Sequence, residues 1–97
     1  MKVAVSAYDT GIDSEINPRF GRCEYILIVD TENKHVEAVP NSNMNLGGGA
    51  GIQTAGLAIS KGAQAVITGS CGPNAMDVFT ASGVDVYTGQ TGTVSQA

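Results

Sequence analysis

Val3 and Val5 alternate with smaller residues ahead of a polar stretch, which is the period of a strand over Lys2–Ala7. Tyr8 to Cys23 has no period and carries Gly11, Pro18 and Gly21, so it predicts a loop with room for one helical turn. Tyr25-Ile-Leu-Ile-Val-Asp30 is a continuous apolar run of strand length, as expected for a strand buried on both faces. Thr31-Glu-Asn-Lys34 supplies turn residues and His35–Val39 alternates again before Pro40, so this region predicts a β-hairpin. Asn41 to Gly49 is dominated by Asn and Gly, which suits a hinge or a close approach of backbone to a ligand.

From Ala50 the period lengthens. Ile52, Ala55, Ile59 and Ala63 fall on one helical face, Leu57 lies off it, and Gly62 is placed to end the helix. The small residues Ala55 and Gly56 would let that helix sit close to a sheet. Ala65-Val-Ile-Thr68 predicts a short buried strand closed by Gly69. Pro73 suits the first position of a second helix, whose apolar face is Ala75, Met76 and Phe79 and which Gly83 ends. Val84–Tyr87 is the last strand.

The order β-β-β-α-β-α-β predicts an α/β domain. Right-handed crossovers make strands one, four and five parallel, with the hairpin extending the sheet beyond strand one. The expected sheet is five-stranded and mixed, of order 3-2-1-4-5 with strand two antiparallel, the ribonuclease-H-like arrangement flanked by helices in three layers. Thr93-Val-Ser-Gln96 has the form of a capping box at a helix start, and one residue follows it. The expectation is a C-terminal helix, trimmed or omitted here, that covers one face of the sheet.

Composition narrows the function. Ninety-seven residues make one domain, and charged residues are only 14%, so the core rests on Val, Ile, Ala and Leu. The formal net charge is −4 and the five basic residues are scattered, which argues against nucleic acid as a partner. No run approaches the roughly 20 apolar residues of a membrane span. The expected location is cytoplasmic, where Cys23 and Cys71 would be two reduced thiols.

Cys71 stands where a strand ends and a helix begins, where free N–H groups and the helix dipole favour a thiolate able to bind a soft metal. The bland alternative is a small apolar residue filling a tight loop. Gly47–Gly51 precedes a helix as a phosphate cradle does, but neither a Gly-Lys-Ser/Thr nor an intact Gly-x-Gly-x-x-Gly follows. Its glycines still allow backbone N–H groups to meet an anion at a helix start. His35 falls on a hairpin strand, as an exposed residue rather than a ligand. Asp9, Asp13 and Glu15 form an acidic loop, and the first strand lacks the carboxylate that ribonuclease-H-type nucleases carry there.

Four segments then fall in a recognisable order. They are Ile16-Asn-Pro-Arg-Phe-Gly-Arg-Cys23 leading into Tyr25–Asp30, Gly49-Ala-Gly-Ile-Gln-Thr-Ala55, Thr68-Gly-Ser-Cys-Gly-Pro-Asn-Ala75, and Val86-Tyr-Thr-Gly89 followed by Thr91-Gly-Thr-Val94. Together they resemble the dinitrogenase iron–molybdenum cofactor biosynthesis domain, over the whole chain. The resemblance implies the same fold with a final helix, and a cofactor carrier or accessory protein rather than an enzyme. Family members often have His-Phe-Gly, with the His implicated in cluster binding; here that position is Arg19, which cannot ligate a metal but can pair with an anionic cluster. Cys23 matches a Cys of some members and is the better candidate ligand; with Cys71 at its helix start, these two are the expected metal ligands.

The expected site is one end of the sheet, with Arg19, Cys23, Gly49, Gly51, Cys71, Gly72 and Asn74 around an iron–sulfur or iron–molybdenum-type cluster. Two thiolates are too few for a four-Cys cluster, so sulfide, another residue or a second subunit would complete it. The expected function is non-catalytic binding, carriage or storage of that cluster, with a partner protein in cofactor assembly and a monomeric or weakly self-associating state. Two alternatives stand beside it: a scaffold or regulator without cofactor, and a metal-dependent hydrolase on the same fold.

Overall fold

The computed structural model describes residues 1–41 and 50–94. The expectations for Gly49 and for the Ser95–Gln96 half of the capping box lie outside the described residues. The elements are β1 (Lys2–Ala7), a single 3-10 turn (Phe20–Arg22), β2 (Tyr25–Asp30), β3 (Val36–Pro40), α1 (Ala50–Ser60), β4 (Ala65–Ile67), α2 (Pro73–Ala81) and β5 (Asp85–Tyr87).

The strands form one sheet in the order β3-β2-β1-β4-β5. β2 runs antiparallel to both β1 and β3, while β4 and β5 are parallel to β1. This is the mixed α/β sheet expected from the connections. The hairpin strand starts one residue late, at Val36, because Lys34 takes a left-handed φ of 61° and the turn closes through Lys34 N–H to the Asp30 carbonyl. Gly62 and Gly83 take the positive φ that ends each helix.

Both helices lie on one face. There Ala4, Ile26, Ile28 and Val66 of the sheet meet Ala55 and Ala58 of α1, Ala75 and Phe79 of α2, and Phe20 of the 3-10 turn. Phe20 and Phe79 pack edge to face with ring centroids 5.3 Å apart. The buried stripe of α1 differs from the expected one: Thr54, Ala55 and Ala58 face inward, and Ile52 is exposed. The cause is proximity. A helix packed against both a sheet and a second helix has space only for small side chains on its inner face, so the bulky residues move to its flanks.

The opposite face carries Val3, Val5, Val29, Val36 and Ile67. With Ile12 and Val94 they line an open groove of about 330 Å³. Among the described residues no helix covers this face, and none is long and apolar enough to cross a membrane.

Candidate functional site

The carboxyl ends of the parallel strands gather the predicted loops. Such ends are where open α/β sheets take their ligands, because successive loops diverge there and helices begin. The loop 16–22 and the loop 68–72 are joined directly. Phe20 N–H donates to the Ser70 carbonyl at 3.2 Å, Ser70 N–H donates to the Pro18 carbonyl at 2.7 Å, and the Ser70 hydroxyl reaches the same carbonyl at 2.9 Å. Arg19 and Ser70 form an isolated parallel bridge, which sets Arg19 beside the residue preceding Cys71.

Gly69 makes this join sterically specific: a Cβ there would lie 2.6 Å from Pro18 Cα and 3.0 Å from its carbonyl oxygen. The third loop is tied in by Gly89 N–H to the Gly69 carbonyl and Gln90 N–H to the Thr68 carbonyl.

The two helix starts also converge. A Cβ on Gly51, in the first turn of α1, would stand 3.4 Å from Ala75 Cβ in the first turn of α2. Neither helix has an acidic residue in its first turn, and Gly72, the residue before α2, offers no side-chain cap. Neither positive dipole end thus meets an acidic side chain of its own first turn. Arg19, Gly72 and Asn74 are exposed and Gly51 is partly exposed. Of the expected site residues, Arg19, Gly51, Cys71, Gly72 and Asn74 therefore come to one end, while Gly49 lies outside the described residues.

The two cysteines part company. Cys71 is half-buried against the helix-side core. Burial pushes its thiol above the usual value, opposite to what a helix start alone predicts, because its other neighbours are apolar. Cys23 is wholly buried beside Phe20, Ile26 and Phe79. Its thiol donates to the Phe20 carbonyl at 3.0 Å, and burial, only partly offset by the Asn41 amide, pushes its pKa up to about 12. As folded, Cys23 is a core thiol with no exposed surface, a poor metal ligand.

The buried polar residues were the part hidden in the sequence. The Ser6 hydroxyl donates to the Asn17 carbonyl at 2.7 Å and lies 2.8 Å from the Thr68 hydroxyl. The Asn41 side chain donates to the Cys23 carbonyl at 2.9 Å and accepts from the Thr54 hydroxyl at 3.2 Å. One signal could have found Ser6 and Thr68: each shares the strand parity of a core residue, Ala4 or Val66, and so points to the helix side.

Among the described residues, no three His, Cys, Asp or Glu side chains stand close enough to hold a metal ion. Asp9, Asp13 and Glu15 all face solvent.

Comparison with known proteins places these features in context. A family model described as dinitrogenase iron-molybdenum cofactor matches residues 1–97. An uncharacterized protein of Methanocaldococcus jannaschii is 35% identical over 100 residues, covering 99% of this chain and 85% of its own length. The apo form of the orange protein from Desulfovibrio gigas is 35% identical and superposes with a TM-score of 0.95, over 98% of this chain and 81% of that one. A NifB-like protein from Thermotoga, also 35% identical, gives a TM-score of 0.85 over the same shares.

Proposed function

The chain belongs to the dinitrogenase iron-molybdenum cofactor family, and from that premise we propose that it binds and carries an anionic iron–sulfur or molybdenum-containing cluster without catalysing a reaction. The carrying observation is the convergence of two helix starts, neither with an acidic residue in its first turn, with Arg19 and Cys71 at one end of the sheet. A metal–sulfide cluster carries negative charge on its sulfur surface. Backbone N–H groups at helix starts and a guanidinium can hydrogen-bond that surface without replacing any metal ligand. Cys71 is the one thiol placed to bind a metal directly; Cys23 supports the site from the core.

The cluster is cargo in this scheme. A hydrogen-bonded cargo can be released without breaking several metal–thiolate bonds, as transfer to a partner in cofactor assembly requires. The ribonuclease-H-like reading of the fold belongs with this proposal. It draws on the strand order and needs helices on both faces, the second against the groove at whose rim Val94 stands.

The test is anaerobic purification followed by reconstitution with iron and sulfide, with and without molybdate. Metal and sulfide are then analysed in wild type, Cys71→Ala, Arg19→Gln and Cys23→Ala. The expected result is a visible sulfide-to-metal band in wild type, weakened in Arg19→Gln and Cys71→Ala and retained in folded Cys23→Ala. Absence of bound metal and sulfide from wild type, both as purified and after reconstitution, would sink the proposal.

A scaffold reading without cargo has one observation in its favour, the apolar groove on the helix-free face. Self-association seen by size measurement in protein that takes up no cluster would favour it.

A further inference from the structure

We propose that Ser6, Asn17, Thr68 and Gly69 are positioning residues: a buried frame that holds the Cys71 loop in fixed register against the Arg19 loop. The proposal rests on reading this end of the sheet as the cargo site.

The proton count makes the frame directional. Ser6 has one hydroxyl proton, and the Asn17 carbonyl at 2.7 Å takes it. The 2.8 Å contact between Ser6 and Thr68 is therefore made with the Thr68 proton, so the chain runs from Thr68 to Ser6 to the Asn17 carbonyl. The alternative acceptor for Thr68, the Ser70 carbonyl, is farther away at 3.5 Å. Asn17 then turns outward: its side-chain oxygen accepts from Arg19 N–H at 3.0 Å, and its own N–H donates to the Ser6 carbonyl at 2.9 Å. One chain of bonds thus links the end of β4 to the end of β1 and on to the backbone of Arg19.

Ser6 and Thr68 have no exposed surface and Asn17 almost none. All five buried polar residues among the described ones, these three with Asn41 and Thr54, lie at this end of the sheet. A core that had only to be stable would place Ala and Val there, because a buried hydroxyl costs free energy unless bonded and gains little net when it is. What the polar pair adds is direction: it fixes which backbone groups of the two loops face each other. Gly69 supplies the steric half, since Pro18 occupies the space of its missing Cβ.

The experiment compares wild type with Thr68→Val, which keeps the shape and removes the hydroxyl, and Thr68→Ser, which restores it. Ser6→Ala replaces Thr68→Val should that variant fail to fold, as judged by urea unfolding. Two readouts are taken: the pH profile of Cys71 alkylation by iodoacetamide in metal-free protein, and iron and sulfide uptake at limiting iron. Thr68→Val is expected to displace the alkylation profile and weaken uptake about fivefold to tenfold, the factor that loss of one net hydrogen bond gives. Thr68→Ser is expected to return both towards wild type. An unchanged profile in folded Thr68→Val, uptake unchanged from a wild type that does take up iron and sulfide, or an equal effect in Thr68→Ser overturns the positioning role. If wild type takes up no iron or sulfide while the profile still moves with Val and returns with Ser, the frame stands and the cargo reading falls.

Discussion

An ionised sulfur at Cys23 would stand among Phe20, Ile26 and Phe79, and its hydrogen bonds, a long one from the Asn41 amide at 3.8 Å and others from the backbone of Ala7 and Cys23, do not offset that burial. Burial therefore keeps the thiol protonated well past the pH at which the unfolded chain loses that proton. The unfolded state binds fewer protons than the folded one between about pH 9 and about pH 12, so stability falls as pH rises through that window. Unfolding midpoints in urea should decline from pH 9 upward in wild type, and the decline should be shallower in Cys23→Ala. Chemical labelling makes the same distinction. At pH 8 the folded protein should take one iodoacetamide adduct, on Cys71, and a second only in denaturant, as mass spectrometry will show. The sequence favoured Cys23 over Cys71 as a ligand, on its match to a Cys of some family members. Their separation depends on which side of a loop each thiol falls, and a tertiary contact such as the one from Phe20 to Phe79 decides that.

Elements were legible wherever the period was clean. β1 and β2 run as the hydrophobic pattern predicts, and Pro73, Gly62 and Gly83 mark helix ends as their backbone preferences require. The inward face of α1 was not legible, because hydrophobicity favours Ile52 and Ile59 whereas space favours Thr54, Ala55 and Ala58. The loop 68–72 was read for its cysteine, and Gly69 passed as a strand terminator. Its decisive property is contact with Pro18, fifty-one positions earlier in the chain, which no local pattern can reveal. Gly69→Ala should cost about 1–3 kcal/mol of folding stability, the usual penalty for forcing an extra carbon into a packed site. The carbon would meet backbone at 2.6 Å, and backbone cannot rotate away as a side-chain tip can. Gly56→Ala provides the control: it lies in α1 with open space around it and should be neutral or slightly stabilising in the same urea titration.

Across the molecule the sheet separates a close-packed face from a polar loop end and an open apolar face. Its helix face is filled by interdigitating small and aromatic residues, and its loop end carries the buried polar groups. The opposite face carries apolar residues that remain only partly covered, Val29, Val36 and Ile67 among them. Substitutions should follow this division more closely than they follow residue type. Ile26 and Ile67 are both strand isoleucines, yet Ile26 is fully buried beneath the helices and Ile67 lines the open groove. Ile26→Ala removes three carbons from a close-packed interior and leaves a cavity, so it should cost about 2–5 kcal/mol. Ile67→Ala truncates a side chain that is only partly buried and opens onto the groove, so it leaves no enclosed void and should cost less than about 2 kcal/mol. Urea unfolding of the two variants at pH 7 measures the difference directly. Equal losses would mean that the groove face is as tightly covered in solution as the helix face, and a cover over that face would then have to be found.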